Sequence, residues 1–253
     1  MLAIDLSDKL ALVTGATGEL GRVMVRTLAQ AGADVVIHYH RNAAKADELK
    51  TELADMGRRA IAVQADVTDP AGVDAMRDTV LAECGAFPGI LVNNAVIQFG
   101  WKSVLEQDDA DFESQFRSAV LHNLYMTKAF VPAMIENHWG RVIGINTECL
   151  MQCWPSQAAY ASGKAGMDRL LRVLAKEVGE HGITVNQVAP GWTISENRPD
   201  EGTPQFYLAG VPLKRRGTDQ EIANAVAFLA SDLASYISGV YLPVCGGNVM
   251  PGV

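Results

Sequence analysis

Apolar runs of strand length alternate with stretches of helical periodicity from one end of the chain to the other. The strand-like runs fall at Leu10–Thr14, Asp34–Tyr39, Arg59–Gln64, Gly89–Asn93, Arg141–Asn146, Thr184–Val188 and Val240–Val244. Between them, helices are predicted to begin near Leu20, Ala43, Pro70, Asp108, Gln157 and Asp219, most of them opening on acidic, Ser/Thr or Pro residues. This alternation is the pattern of a parallel sheet covered by helices on both faces. The expected fold is therefore α/β and doubly wound, with a seven-stranded, mostly parallel sheet. The most irregular stretch runs from Gly191 to Gly217 and is rich in Gly, Pro, Thr and charge. A connection that long without its own pattern reads as a lid or binding loop.

Composition narrows the picture. A chain of 253 residues with 49% hydrophobic and 20% charged residues can bury a substantial core, and one large domain over residues 1–253 accommodates it. The net charge of −8 argues against general nucleic-acid binding, which needs a basic surface to release counterions. No stretch approaches the roughly 18 to 20 apolar residues of a membrane helix. The segment Met1 to Lys9 lacks a basic head and a secretory apolar core, so a cytoplasmic location is expected, with no membrane partner. Cys84, Cys149, Cys153 and Cys245 show no metal-ligand spacing and read as small buried hydrophobes in a reducing compartment. His38 and His40 flank Tyr39, but two histidines alone make a poor metal site, and no metal is expected.

Two segments carry candidate chemistry. The first predicted strand runs into Thr14-Gly15-Ala16-Thr17-Gly18-Glu19-Leu20-Gly21, followed by a helix. Glycines there let the backbone turn sharply and bring a helix amino terminus, with free N–H groups and the positive end of its dipole, against an anion such as a nucleotide diphosphate. A purely structural tight turn is the alternative. The second segment is Tyr160-Ala161-Ser162-Gly163-Lys164. Residues four apart share a helix face, so phenol and ammonium project together. Charges about 4 Å apart interact by roughly 4 kcal/mol at an effective dielectric of about 20, equivalent to roughly 3 pKa units. The phenol is thus expected to titrate nearer neutrality, where a general acid works best.

Order and spacing of these motifs resemble the short-chain dehydrogenase/reductases over nearly the whole chain, and among them the reductases of carrier-bound 3-oxoacyl groups and their relatives. Thr14-Gly15 and Gly21 match that family's glycine motif, Asp66-Val67 its adenine site, Asn93-Asn94-Ala95 its mid-sheet turn, Pro190-Gly191 its nicotinamide turn, and Val244-Cys245-Gly246-Gly247 its last strand. The resemblance implies a Rossmann-type fold and a hydride transfer between a nicotinamide cofactor and a carbonyl or alcohol. Tyr160 is then the acid/base, and Lys164 assists it while bonding the nicotinamide ribose. Thr147, thirteen residues before the tyrosine, takes the family's serine position and holds the substrate oxygen. Coenzyme contacts are expected from Gly15, Thr17, Gly18, Glu19, Leu20, Gly21, Arg41, Asp66, Val67, Asn93, Tyr160, Lys164, Pro190, Gly191 and Thr193. Tyr39 stands where an acid would repel a 2′-phosphate and Arg41 can grip one, so NADP is favoured, with NAD as the alternative. The small residues from Ala158 to Gly166 suggest either packing within the subunit or the family's subunit interface, which implies a homotetramer, with a dimer as the alternative.

Three positions depart from the family pattern: Glu19 for the middle glycine, Val96 for a glycine after the mid-sheet turn, and Ala119 for the asparagine that helps hold a water near the lysine. Ser118, His122 or Asn123 could replace that last function. These departures keep two other readings open, a nucleotide-binding protein with little turnover, and epimerase or dehydratase chemistry on the same fold. The substrate pocket is expected to draw on Gln98, Glu148, Cys149, Cys153, Trp154, Trp192 and the Ser195–Tyr207 loop, which suits an apolar or ring-bearing substrate.

Overall fold

The computed structural model describes residues 3–97, 100–197 and 202–252. Seven strands form one sheet: β1 (Leu10–Val13), β2 (Asp34–Tyr39), β3 (Ala60–Gln64), β4 (Ile90–Asn93), β5 (Gly140–Ile145), β6 (Ile183–Pro190) and β9 (Tyr241–Val244). Their order is β3-β2-β1-β4-β5-β6-β9. Every pairing is parallel, so the sheet is wholly rather than mostly parallel. Two short strands, β7 (Thr193–Ile194) and β8 (Gly217–Thr218), pair apart from it and tie the two ends of the long loop together.

The near-continuous apolar strands follow from burial on both faces. Ala11 and Val13, Val35 and Ile37, Ile90 and Val92, and Ile143 and Ile145 pack on one side against α1 (Glu19–Gln30), α2 (Ala43–Asp55) and α9 (Asp219–Ala230). The intervening Leu12, Val36, Leu91 and Val142 face the other side, against α3 (Pro70–Cys84), α5 (His122–Glu136) and α7 (Ala158–Val178). Side chains alternating at period two thus serve two cores.

Helix starts follow local chemistry. Asn42 caps α2, Asp69 with Pro70 starts α3, and Thr218 with Glu221 forms a capping box on α9. In contrast, Gly18 at the start of α1 supplies no side-chain cap. The helix expected from Asp108 is interrupted: α4 (Asp109–Phe116) passes into a π-helical turn, Arg117–Leu121, before α5 begins. Single π turns commonly occur at functional sites, and this one contains Ala119. Two short helices, α6 (Cys149–Gln152) and α8 (Gln205–Gly210), were not indicated by periodicity. Among the described residues no helix is long and apolar enough to cross a membrane. The cysteines also differ from expectation, since only Cys245 is fully buried and Cys153 is exposed.

Candidate active site

Adjacent strands β1 and β4 send their chains to opposite sides of the sheet, and the crevice at their carboxyl ends is where ligands bind in such folds. The loop after β1 is built for close approach. Gly15 adopts a left-handed φ of 62°, and a Cβ on Gly21 would stand 2.3 Å from the Gly15 carbonyl oxygen. Gly18 has an ordinary extended conformation, and Glu19, the first residue of α1, has no positive φ and so needs no glycine freedom. No side chain caps α1, so its first N–H groups are the ones an anion would use, whereas the N–H groups of Gly15 and Gly18 are bonded to His38 Nδ1 and to the Gly15 carbonyl.

Two buried histidines hold this loop. Gly15 N donates to His38 Nδ1 at 2.9 Å, and His38 Nε2 lies 3.1 Å from the Ala65 carbonyl oxygen. Since a carbonyl only accepts, Nε2 carries the proton and Nδ1 accepts. Burial pushes the His38 pKa down to about 4, consistent with that neutral ring. On the other side, His122 Nδ1 lies 3.1 Å from the Ser118 carbonyl and Nε2 lies 3.1 Å from Thr14 Oγ1. The same logic makes Thr14 the donor to Nε2. Burial depresses the His122 pKa to about 3. Thr14 Oγ1 also accepts the N–H groups of Asn94 and Ala95, and Asn94 Nδ2 donates to Thr14 O, so the ends of β1 and β4 are stitched together. Sequence reasoning weighed His38 as a metal ligand and missed this clamp, because its partners come from distant segments.

The remaining coenzyme expectations divide. Arg41 is exposed just beyond β2, and the turn it occupies is held by Gln64 Nε2 donating to the His40 carbonyl at 2.8 Å. Asp66 is exposed, with its Oδ1 bonded by Thr68 N and Oγ1, whereas Val67 is buried in the core, leaving its backbone for any ligand. Asn93 is also buried, and its Nδ2 is committed to Asn123 Oδ1 at 2.8 Å. Its amide nitrogen therefore tethers β4 to α5. The Pro190 carbonyl accepts from Glu148 N, Gly191 N donates to the Val244 carbonyl, and the Thr193 carbonyl accepts from Arg216. Glu19 is turned to protein partners: Ser195 Oγ donates to its Oε2 at 2.6 Å, Asn197 Nδ2 to its Oε1 at 3.3 Å, and Arg22 pairs with it at 2.6 Å.

The three expected catalytic residues come together. Thr147 sits just past β5, where Tyr241 donates to its carbonyl at 2.6 Å and Asn146 Oδ1 accepts its N–H at 2.9 Å. Tyr160 and Lys164 lie one turn apart near the start of α7, and the Tyr160 and Thr147 side chains are hydrogen-bonded. The Lys164 ammonium donates to the Ile145 carbonyl at 2.5 Å and lies 5.8 Å from the centre of the Tyr160 ring.

This arrangement overturns the expected phenol shift. Burial pushes the Tyr160 pKa up to about 12, with the Cys149 thiolate adding to the rise and the Thr147 hydrogen bond opposing it. Burial also brings Lys164 down to about 8. Desolvation outweighs the ion–phenol attraction because the ammonium points to a carbonyl rather than to the phenol oxygen. A polar ladder behind the site, absent from the sequence-based expectations, runs from Asn146 Nδ2 to Gln187 Oε1 at 2.7 Å and from Gln187 Nε2 to Asp168 Oδ1 at 3.0 Å. It fixes the β5 end against α7.

A cavity of about 470 Å³ opens beside Thr147 and Tyr160. Its walls include Glu148, Cys149, Trp154, Trp192 and, from the expected loop, Tyr207, together with Trp101, Gln152 and Gln157. Cys153 does not line it, and Gln98 lies outside the described residues. Trp101 stands over Tyr160 with ring centres 6.4 Å apart. Val96 faces the cavity without a positive φ, so the branched side chain restricts the pocket and leaves the turn unstrained. Glu148 is spent on structure: it accepts from Tyr207 Oη at 3.0 Å and from Asn248 Nδ2 at 3.0 Å, while Tyr207 Oη accepts from Trp192 N. Burial raises its pKa even against those hydrogen bonds.

Comparison with known proteins agrees with this geometry. Residues 15–248 match the family described as enoyl-(acyl carrier protein) reductase. The 3-oxoacyl-[acyl-carrier-protein] reductase of Escherichia coli is 36% identical over 250 residues, covering 98% of this chain and 100% of the relative. A blue fluorescent protein from a metagenomic library, solved in complex with NADPH, superposes with a TM-score of 0.90 at 32% identity, over 97% of this chain and 100% of that one. A short-chain dehydrogenase from Burkholderia cenocepacia in complex with NADP gives 0.87 at 30% identity, over 96% and 98%. The chain belongs to the short-chain dehydrogenase/reductase family, and within it resembles the 3-oxoacyl-carrier-protein reductases.

Proposed function

We propose that this protein is an NADP-dependent oxidoreductase that moves a hydride between the coenzyme and a carbonyl or alcohol carbon held beneath Thr147 and Tyr160. The observation that carries this reading is the hydrogen-bonded Thr147–Tyr160 pair beside an aromatic-walled cavity, with Lys164 buried behind it. The dinucleotide, when bound, supplies or accepts the hydride. Gly15 through Gly21 would hold its diphosphate, the Asp66–Val67 backbone its adenine, Lys164 its ribose, and the Pro190–Thr193 segment its nicotinamide.

The chain's own residues handle the oxygen. Thr147 Oγ1 accepts the Cys149 N–H at 3.2 Å and is hydrogen-bonded to Tyr160, so a substrate carbonyl oxygen entering between the two would take over the Thr147 hydroxyl proton. A preorganised donor of this kind contributes about 3 to 4 kcal/mol to the transition state. Tyr160, with a pKa near 12, is protonated at neutral pH and donates its proton to the forming alkoxide; Lys164, mostly charged below about 8, stabilises the phenolate left behind. In the oxidative direction the same steps reverse. The tryptophan-rich wall favours a compact, apolar or ring-bearing ketone. Purified protein mixed with NADPH and a panel of such ketones should lose nicotinamide absorbance; no loss with any member would count against the reading.

The coenzyme preference rests on Arg41. A charged hydrogen bond to the 2′-phosphate is worth about 10- to 150-fold in affinity. Arg41→Ala should remove most of the advantage of NADPH over NADH in titration calorimetry, and a wild type that binds NADH more tightly would refute this assignment.

A homotetramer in the cytoplasm is the assembly and location we favour. Phe112, Phe116 and Leu121 line a groove with Ala159 and Ser162, and Phe116 is 51% exposed, as suits a helix face awaiting a partner copy. Part of the small-residue run has a nearer reason. A Cβ on Gly163 would lie 2.8 Å from the Gln115 carbonyl, and one on Gly166 2.7 Å from Val120, so both glycines let α7 pack against α4 and the π turn within one subunit.

A further inference from the structure

We propose that Glu19 is a positioning residue that latches the substrate loop to the coenzyme-binding helix, so that the loop straps the dinucleotide into its crevice. The inference rests on the NADP-dependent reading above. Glu19 occupies the first position of α1, at the diphosphate end of the crevice. Ser195 and Asn197, which bond it, belong to the segment that leaves β6 at the nicotinamide end. Strands β4 and β5 lie between β1 and β6, so three strand spacings, roughly 14 Å, separate the two ends. The segment from Gly191 to Asn197 therefore crosses the carboxyl ends of the strands, above the place where the dinucleotide belongs.

The latch is a network rather than one bond. Arg22, with a side chain only 8% exposed, sits between Glu19 at 2.6 Å and Glu196 at 3.2 Å, and Arg26 holds Glu196 at 2.7 Å and Glu52 at 2.6 Å. Two guanidiniums on α1 thus gather carboxylates from α1, α2 and the loop. Glu196 N also lies 3.4 Å from Asp219 Oδ2 at the start of α9. Hydrogen bonds from Ser195 and Asn197, with the Arg22 charge, hold the Glu19 pKa below the ordinary carboxylate range even though partial burial works the other way. A glycine at position 19 offers none of these contacts. A bound dinucleotide must pass this strap to leave, so loosening the latch should act on release before it acts on chemistry.

The test compares Glu19→Gly, Ser195→Ala, Asn197→Ala and the Glu19→Gly, Ser195→Ala double variant with the wild type. Hydrogen exchange of the 191–197 backbone is measured without ligand, and NADPH dissociation is followed by stopped-flow fluorescence. Each single substitution should speed loop exchange and raise the NADPH dissociation rate about three- to tenfold, a modest factor because Glu19 is partly exposed and screened. The double variant should be no worse than Glu19→Gly alone, since that substitution already removes the Ser195 contact together with those to Asn197 and Arg22. Unchanged exchange and dissociation in the folded single variants would overturn the proposal. So would a change in Glu19→Gly that neither Ser195→Ala nor Asn197→Ala reproduces, which would mean that the carboxylate acts on the diphosphate or on the helix dipole rather than through the loop. If wild-type protein bound no NADPH, the coenzyme reading would fail, and with it the strap, whereas the exchange data would still report the bare Glu19–Ser195 contact.

Discussion

Tyr160→Phe should lower carbonyl turnover by about 10²- to 10⁴-fold, the usual range for losing a positioned general acid, with little change in NADPH affinity. The substitution removes one oxygen and leaves the ring under Trp101, so the cavity wall survives. What is lost is the proton that the phenol hydrogen-bonded to Thr147 delivers to the substrate oxygen. Burial keeps that phenol protonated at neutral pH, as a proton donor to the substrate oxygen must be. Steady-state rates on any active ketone, with coenzyme affinity measured in parallel, check this. A phenylalanine variant that keeps full turnover would remove Tyr160 from the mechanism.

Lys164→Ala should cut turnover by about 10²- to 10³-fold and weaken coenzyme binding as well, since one ammonium serves both the phenolate and the ribose. The pH dependence gives a sharper signature. Lys164 is charged below about 8 and neutral above it, so kcat/KM for ketone reduction should fall as pH rises through that value. The residual activity of Lys164→Ala should lack this alkaline limb, and its persistence would assign the limb to another group. Stability follows the opposite direction. Between about 8 and the ordinary 10.5 the unfolded chain binds the proton that the folded chain has lost. The cost of burying the Lys164 charge is therefore greatest below that window and is relieved as pH rises across it.

The sheet was legible because a strand covered on both faces must be apolar along its length, and the helices that cover it must be amphipathic. The glycine loop and the Tyr160–Lys164 spacing were legible for a similar reason: each satisfies a local geometric demand. What the chain did not disclose depends on distant partners. His38 and His122 are unremarkable in sequence and become clamps only when β2 and α5 bring them to Gly15 and Thr14. The sign of the Tyr160 shift was misjudged because spacing reports the ammonium's nearness and says nothing about desolvation or the competing Ile145 carbonyl.

The departures from the family pattern read differently in three dimensions. Glu19 and Val96 look like damage to a coenzyme site, yet Glu19 finds partners in the loop and Val96 a place on the pocket wall. Ala119 lies within the π turn, where its carbonyl accepts Asn123 Nδ2 at 2.7 Å. Of the three possible substitutes, Asn123 is the residue that engages this carbonyl, while His122 serves Thr14 and Ser118 bonds back to Gln115. None of the three departures, as placed, favours a protein without turnover.

The central claim is that a hydride passes between NADP(H) and a carbonyl carbon at Thr147 and Tyr160. The most direct measurement uses NADPH deuterated at the transferable position with a panel of ring-bearing ketones, followed by mass spectrometry of the products. The account predicts one deuterium on the carbinol carbon for each NADPH oxidised, and loss of that product with Tyr160→Phe. Product formed without deuterium or without net coenzyme oxidation, as in an epimerase or dehydratase, would contradict it.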